Sequence, residues 1–404
     1  MPPGDRFIPP LLSGFDLEIA NYWLLRNAGA LEFLDTHKEH LSLSRNSERM
    51  LQLRPGIFTY TPSNQHLDPP KPVSRQVPPR KIRPTPYRRL LVQGIRDDFY
   101  ISHLHHHPRH PLTAVVAHDK VVILDDSVDT NHAACSLKST TANPTSVAWH
   151  PRDSILAIGC HDGTIRLYDA SKNMSIGGVN VHEGRIGCLS WDENLLFTGS
   201  RDALVAAFDA RQTRSSAMYF EGHKQEVCGL STCDTMLASG GNDNVFYIHD
   251  IRTCRGMVAN SVHTGAVKAI AWNPVHRNIL ATGGGREDGR IYTWDIKTRR
   301  VKACADTGSQ VSSLQWSPNG EEILSSHGYR ANSMMVWSRP HLIKIANLHG
   351  HNTGRILGTT TASNGETVIS IDSTGMLGHW RIWPTEGHRI GDTVFPASWM
   401  RTVR

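Results

Sequence analysis

Ser146-Val147-Ala148-Trp149 leads to Ile155-Leu156-Ala157-Ile158-Gly159, then His161-Asp162-Gly163, then Ile165-Arg166-Leu167-Tyr168-Asp169. Each apolar run is short and is bounded by Asp, Gly, Pro or Ser, so it reads as a strand and is too short for a helix. The pattern returns as Ile186-Gly187-Cys188-Leu189-Ser190-Trp191, Leu196-Phe197-Thr198-Gly199-Ser200 and Phe208-Asp209. A third copy opens at Gly222-His223 and closes at His249-Asp250, and a fourth runs from His263 to Trp294-Asp295. A fifth carries Leu314-Gln315-Trp316-Ser317-Pro318 and ends Val336-Trp337, and the last runs from Gly350-His351 to His379-Trp380. The closing positions 169, 209, 250, 295, 338 and 381 step by 40, 41, 45, 43 and 43 residues. That period, with four strands per unit, is the mark of a propeller blade ending in a Trp-Asp-like dipeptide. A seventh, weaker unit lies at Thr113-Ala114-Val115-Val116-Ala117 and Val121-Val122-Ile123-Leu124. The expected fold is all-β: a seven-bladed WD-repeat β-propeller, closed so that no long sheet edge is left free.

In each unit the closing aromatic is expected to fill the space between neighbouring blades. The turn aspartates Asp162, Asp202 and Asp243 are expected to bond backbone amides and the Gly-His histidine of their own blade. These are structural roles. Ahead of the repeats the composition changes. Prolines stand at 55, 62, 69, 70, 72, 78, 79, 84 and 86, and Lys71, Arg75, Arg80, Lys81, Arg83, Arg88, Arg89 and Arg96 face only Asp97 and Asp98. Proline fixes φ and removes a donor, so residues 1–90 read as a largely disordered arm, 91–385 as the propeller and 386–404 as a tail. Within the arm Phe15, Ile19, Tyr22, Trp23 and Arg26 have helical spacing, Ser13 is placed to cap it and Asn27-Ala28-Gly29 to stop it, giving a short amphipathic helix over about 15–27.

The 404 residues carry a formal charge of +6 with 39% hydrophobic and 20% charged residues, which excludes a wholly disordered chain. No apolar run is long enough to span a bilayer, and the N-terminus lacks the apolar stretch of a secretory signal. The seven cysteines form no Cys-x-x-Cys, so reduced thiols in a cytoplasmic or nuclear protein are expected, with neither disulfides nor a zinc site. The histidine group His103, His105, His106, His107 and His110 reads as a solvated connector, not a metal site. No phosphate loop, nucleophile elbow or His-Glu-x-x-His pair is present. Ala281-Thr282-Gly283-Gly284-Gly285 lies between strands and reads as a bend or close backbone approach. The basic stretch 71–89 has Tyr87 alone for base stacking, which argues against nucleic acid. Thr85-Pro86-Tyr87-Arg88 and Thr61-Pro62 fit proline-directed phosphorylation at Thr85 and Thr61.

Several strings are more specific than generic repeats. They include Gly4-Asp5-Arg6-Phe7-Ile8-Pro9, Ile95-Arg96-Asp97-Asp98-Phe99-Tyr100, Ala238-Ser239-Gly240-Gly241-Asn242-Asp243-Asn244, Gly265-Ala266-Val267-Lys268-Ala269 and Asp306-Thr307-Gly308-Ser309-Gln310-Val311. The chain resembles the Fizzy / Fizzy-related family, the substrate-recruiting activators of the anaphase-promoting complex, over nearly its whole length. Its departures from the family pattern imply a fast-diverging branch.

The resemblance implies docking on the ligase through Asp5, Arg6, Phe7, Ile8 and Pro9, whose arginine suits an acidic pocket, and through the terminal Val403 and Arg404. The family's second arginine is Leu11 here. It also implies a receptor for KEN-type degrons at Asp98, Asn242, Asn244, Gln310 and Arg355, in which Arg355 pairs with a glutamate and the amides both give and accept hydrogen bonds. A further receptor threonine of the family is Arg286 here. The apolar part of a D-box pocket aligns with Val115 and Leu124, whereas its acidic pair aligns with Leu91 and Gly375. Loss of both carboxylates is expected to cost on the order of 2–4 kcal/mol in charge-assisted bonds, so D-box binding should be weak or altered while KEN binding is kept.

Together these expectations describe a non-enzymatic adaptor with no cofactor and no metal. Its partners would be anaphase-promoting complex subunits, degron-bearing substrates such as cyclins, and checkpoint inhibitor proteins. Neither membrane nor nucleic acid is expected as a partner. The rival reading is a WD scaffold of the same family that has lost or changed its coupling to the ligase and serves a developmental role.

Overall fold

The computed structural model describes residues 81–127, 133–138, 143–211, 217–350 and 354–383. Among these residues are 28 strands and no helix. The strands form seven antiparallel sheets of four. In six sheets spatial order follows chain order, as tight turns between short strands require. The seventh is assembled from both ends of the domain: Ile356–Thr361, Thr367–Asp372 and Met376–Arg381 take Arg88–Leu91 as their outermost strand. Its register runs from Arg88 opposite His379 to Leu91 opposite Met376. The ring is thus locked by pairing an early strand with the last one, which covers the outer edge of Met376–Arg381 and completes a fourth strand for blade seven.

This closure moves the start of the propeller. The expected boundary at residue 91 falls inside the closing strand, and Ile82 already packs on the apolar cluster of Trp380, Ile382 and Trp383. The prolines around residue 86 are compatible with this because they precede the strand and remove no ladder donor from it.

The core is divided among the seams. Seven apolar clusters are present, and each joins two neighbouring blades. The seam between blades seven and one holds Leu90, Val92, Leu104, Val115, Leu124, Ile369, Ile371 and Leu377. The expected closing aromatics fill such seams: Tyr168, Phe208, Trp294, Trp337 and Trp380 are all buried. A fully buried side chain of this kind contributes about 1.5–3 kcal/mol, so every seam is held by many such terms.

Asp243 bonds its Gly-His histidine as expected, and Asp202 bonds a histidine that follows Val181 instead of a glycine. His223 Nδ1 lies 3.1 Å from Asp243, its Nε2 lies 2.9 Å from Ser239 Oγ, and Asp243 accepts the Lys224 N–H at 2.9 Å. His182 bonds Asp202 at 2.9 Å and Thr198 at 2.7 Å in the same way. The pattern recurs at His263, which bonds Asp288 and Thr282, and Trp294 donates its indole N–H to the same Thr282 hydroxyl. Asp162 instead caps its own turn through Thr164.

The glycine run is a close approach: a side chain on Gly283 would meet Val311 of the next blade, and one on Gly284 would meet Asp288. The histidine group departs from expectation. Leu104–His106 is the innermost strand of blade one, and His103, His106 and His107 are buried. They satisfy neighbouring groups: His106 Nδ1 lies 2.7 Å from His107 O, and His107 accepts the Arg109 N–H at 3.0 Å. Burial, first, holds His107 down at about 3 and His105 at about 4, so the imidazoles are neutral and act as polar core residues.

Candidate functional site

Antiparallel alternation sends every loop between an outermost strand and the next innermost strand to one end of the ring, together with each turn between second and third strands. Residues 92–103, 181–185, 221–226, 242–245, 307–310, 328–333 and 373–375 therefore share one face. The segment 92–103 lies across it, because it contacts blades on opposite sides. Asp98 reaches Arg185, Tyr100 reaches Asn242, the Ser102 N–H donates to Gly187 O at 2.8 Å, and Asp97 reaches Arg355. Alternation along this extended stretch explains its two sides. Phe99 and Ile101 are buried, whereas Asp98 and Tyr100 engage the polar network.

Buried Lys268 and Arg355 tie the segment down from two sides. The Lys268 ammonium, on the innermost strand of blade five, donates to Ile101 O and Leu357 O, both at 3.0 Å, and lies 5.2 Å from the centroid of the Phe99 ring. Burial lowers its pKa to about 8, against the opposing pull of Cys228 and Asp98. Beneath the segment is a cavity of about 130 Å³ lined by the inner strands, including Lys268, Cys188, Cys228, Ser313 and Thr359. Among the described residues no three His, Cys, Asp or Glu side chains come together as a metal site.

All five KEN-type positions fall on this face, in two groups. Asp98 accepts the Tyr100 N–H at 2.9 Å and pairs with Arg185 at 2.5 Å. Arg185 is in turn gripped by both Glu226 oxygens, at 2.7 and 3.0 Å. Burial works to raise the Asp98 carboxyl, but the Tyr100 amide and Arg185 outweigh it, and its pKa lies below the usual carboxylate value. Asn242 accepts the Tyr100 hydroxyl at 2.8 Å and donates to Gln225 at 2.7 Å. Asn244, at φ 64°, donates to Thr264 O at 3.3 Å.

The second group is Gln310 and Arg355. Gln310 Oε1 is buried with no partner, and it borders Gly328 beside Arg355. Arg355 donates to the Asp97 carboxylate and, at 2.9 Å, to the Asp97 carbonyl, and its guanidinium lies 4.7 Å from the exposed Tyr329 ring. Arg286 lies 5.6 Å from the same ring. Asp97 and Asp98 are consecutive, so one dipeptide links the two groups.

The D-box positions divide. Val115 and Leu124 are 0% and 7% exposed and belong to the seam between blades seven and one, so they do not line an open pocket. They are apolar because they hold the ring together. Leu91 and Gly375 do meet at one corner, where the Val92 N–H donates to Gly375 O at 2.9 Å, but they bring an exposed leucine and a glycine. Thr85 is exposed just before the closing strand. Asp5, Arg6, Phe7, Ile8, Pro9, Thr61, Val403, Arg404 and the helix over 15–27 lie outside the described residues.

No motif in the sequence singles out Asp97, Tyr100, Arg185, Glu226, Lys268 or Tyr329 for this face, although Asp97 and Tyr100 stand within two residues of Asp98. Arg185 and Glu226 stand in loops of different blades, and only the closed ring brings them together.

A ring of seven four-stranded blades, several closed by a buried Trp or by a Trp-Asp-like pair, defines a β-propeller of the WD-repeat class. Residues 90–380 match the family model described as the CDC20/Fizzy WD40 domain, and the chain belongs to that family. It is 34% identical over 397 residues to "Cell division cycle 20.5, cofactor of APC complex" of Arabidopsis thaliana, covering 94% of this chain and 88% of that one. It is also 34% identical to "APC/C activator protein CDH1" of Saccharomyces cerevisiae, over 75% of this chain and 53% of that relative's length. Among solved structures, "Crystal Structure of Mitotic Checkpoint Complex" contains a chain that matches with a TM-score of 0.72 at 34% identity, over 76% of this chain and 94% of that one.

Proposed function

We propose that this chain is a substrate-recruiting activator of the anaphase-promoting complex. In this reading it acts in the cytoplasm or nucleus and holds KEN-type degrons on the face that carries Asp98, Asn242, Asn244, Gln310 and Arg355. The chemistry is presentation, not catalysis: a bound substrate is kept at high effective concentration near the ligase's catalytic subunits. Arg6 and the Val403-Arg404 end are the docking groups, and cyclins and checkpoint inhibitors are the expected guests. The observation that carries the reading is the convergence of five residues from separated loops on one face, with Gln310 and Arg355 side by side at Gly328.

The test is a fluorescence-anisotropy titration with a labelled KEN peptide. Wild type should bind it, Arg355→Ala should weaken binding at least about tenfold, and a D-box peptide should bind more weakly than the KEN peptide. A D-box affinity equal to or above the KEN affinity refutes the specificity claimed. The scaffold reading is favoured by Leu91 and Gly375 standing at the corner that would hold a degron arginine. Co-purification separates the two readings: ligase subunits should accompany the intact chain and be lost with Arg6→Ala combined with deletion of Arg404.

A further inference from the structure

Arg355 is 8% exposed, yet the acid that neutralises it, Asp97, has a side chain 51% exposed. The carboxylate therefore comes to the guanidinium from the solvent side. Asp97 takes two of the N–H groups, one through Oδ1 and one through its backbone carbonyl, and the guanidinium lies over the Tyr329 ring. Arg355 has contacts of its own besides Asp97, because its stem lies beside Gly328 and its guanidinium carbon lies 4.7 Å from the tyrosine ring centroid. Asp97 is thus a cover on a cation that has other contacts.

We propose that Asp97 is a built-in competitor for the acidic side chain of an incoming degron and sets how strongly the face selects such guests. This rests on the reading that the face binds KEN-type peptides. A guest glutamate must displace the Asp97 carboxylate from Arg355, and it meets like charge as it approaches. A guest without an acid at that position has no reason to displace it. The cover thereby weakens acidic guests at Arg355 and leaves neutral ones unaffected. A half-exposed ion pair is weak enough to open thermally, so the device tunes affinity without abolishing binding.

The experiment uses the full chain and two labelled peptides that differ only in Lys-Glu-Asn against Lys-Gln-Asn. Asp97→Asn should bind the glutamate peptide about three- to fivefold more tightly than wild type does. Its affinity for the glutamine peptide should change by less than about twofold. Asp97→Ser, which removes the carboxylate with a smaller side chain, must shift in the same direction, so the outcome does not depend on one variant's folding. Equal or weaker binding of the glutamate peptide by these variants, or an equal gain for both peptides, overturns the competitor. Failure of wild type to bind the glutamate peptide at all overturns instead the reading on which it rests.

Discussion

At the scale of the residue, the face shows how a side chain's role depends on what it must satisfy. Asp98 stays ionised because a backbone amide and Arg185 outweigh its burial. Gln310 is the reverse, an amide oxygen placed in the interior with nothing to bond. Gly375 is constrained more tightly than either. Its φ is +86°, and a side chain there would meet the Val92 carbonyl. An acid at this position, the residue the family resemblance leads one to expect, requires a different local backbone. Gly375→Ala should therefore lower stability by about 1–2 kcal/mol, seen as a lower midpoint in denaturant unfolding with an unchanged slope. An unchanged midpoint would show that the turn relaxes freely. Residue identities in the turns were legible from the sequence, since Asp243 finds the expected histidine and Asp202 finds His182. Val115 and Leu124 were not, because an apolar residue reads the same whether it lines a pocket or fills a seam.

At the scale of the element, twenty or more strands were legible because alternation and turn residues act locally. Two strands were not, for different physical reasons. Leu104–His106 reads as polar, yet His106 is buried, burial favours the neutral form of both imidazoles, and they pass unnoticed in a count of charged residues. Arg88–Leu91 follows prolines, has two basic residues, and finds its partner only at the far end of the domain. No local pattern announces such a pairing. Leu90 is nonetheless buried in the seam it helps to close. A chain starting at residue 81 should keep the wild-type melting transition of the propeller. One starting at residue 92 should melt at least about 10 °C lower or fail to fold, since it loses a strand and part of a core cluster. Matching transitions in calorimetry would show that the closing strand is dispensable.

At the scale of the whole molecule, the sequence revealed the ring but not what lies across it. The segment 92–103 takes its place across the face only after closure sets Arg185, Asn242, Lys268 and Arg355 around it. Its hold on Lys268 couples the face to the ring's interior. The interior also sets the response to acid. Burial lowers His103 and His249 to about 3 and His327 to about 4, while the unfolded chain protonates its histidines near 6.5. The unfolded state then binds more protons than the folded state below that pH. Stability should fall as pH drops from about 6.5 to 4, approaching about 1.4 kcal/mol per pH unit for each such histidine. Asp98, Asp202 and Asp243, with lowered folded values, add a further loss below about 3.8. Melting temperatures should hold near pH 7 and decline steadily toward pH 4.5, and a flat profile over that range would contradict the neutral, buried assignment. The central claim is tested most directly by adding the full chain to activator-free anaphase-promoting complex with a KEN-bearing substrate and following ubiquitin conjugation. The account predicts stimulated conjugation that is lost with Arg355→Ala and when the KEN motif is replaced by alanines, whereas conjugation no greater than in the chain's absence would contradict it.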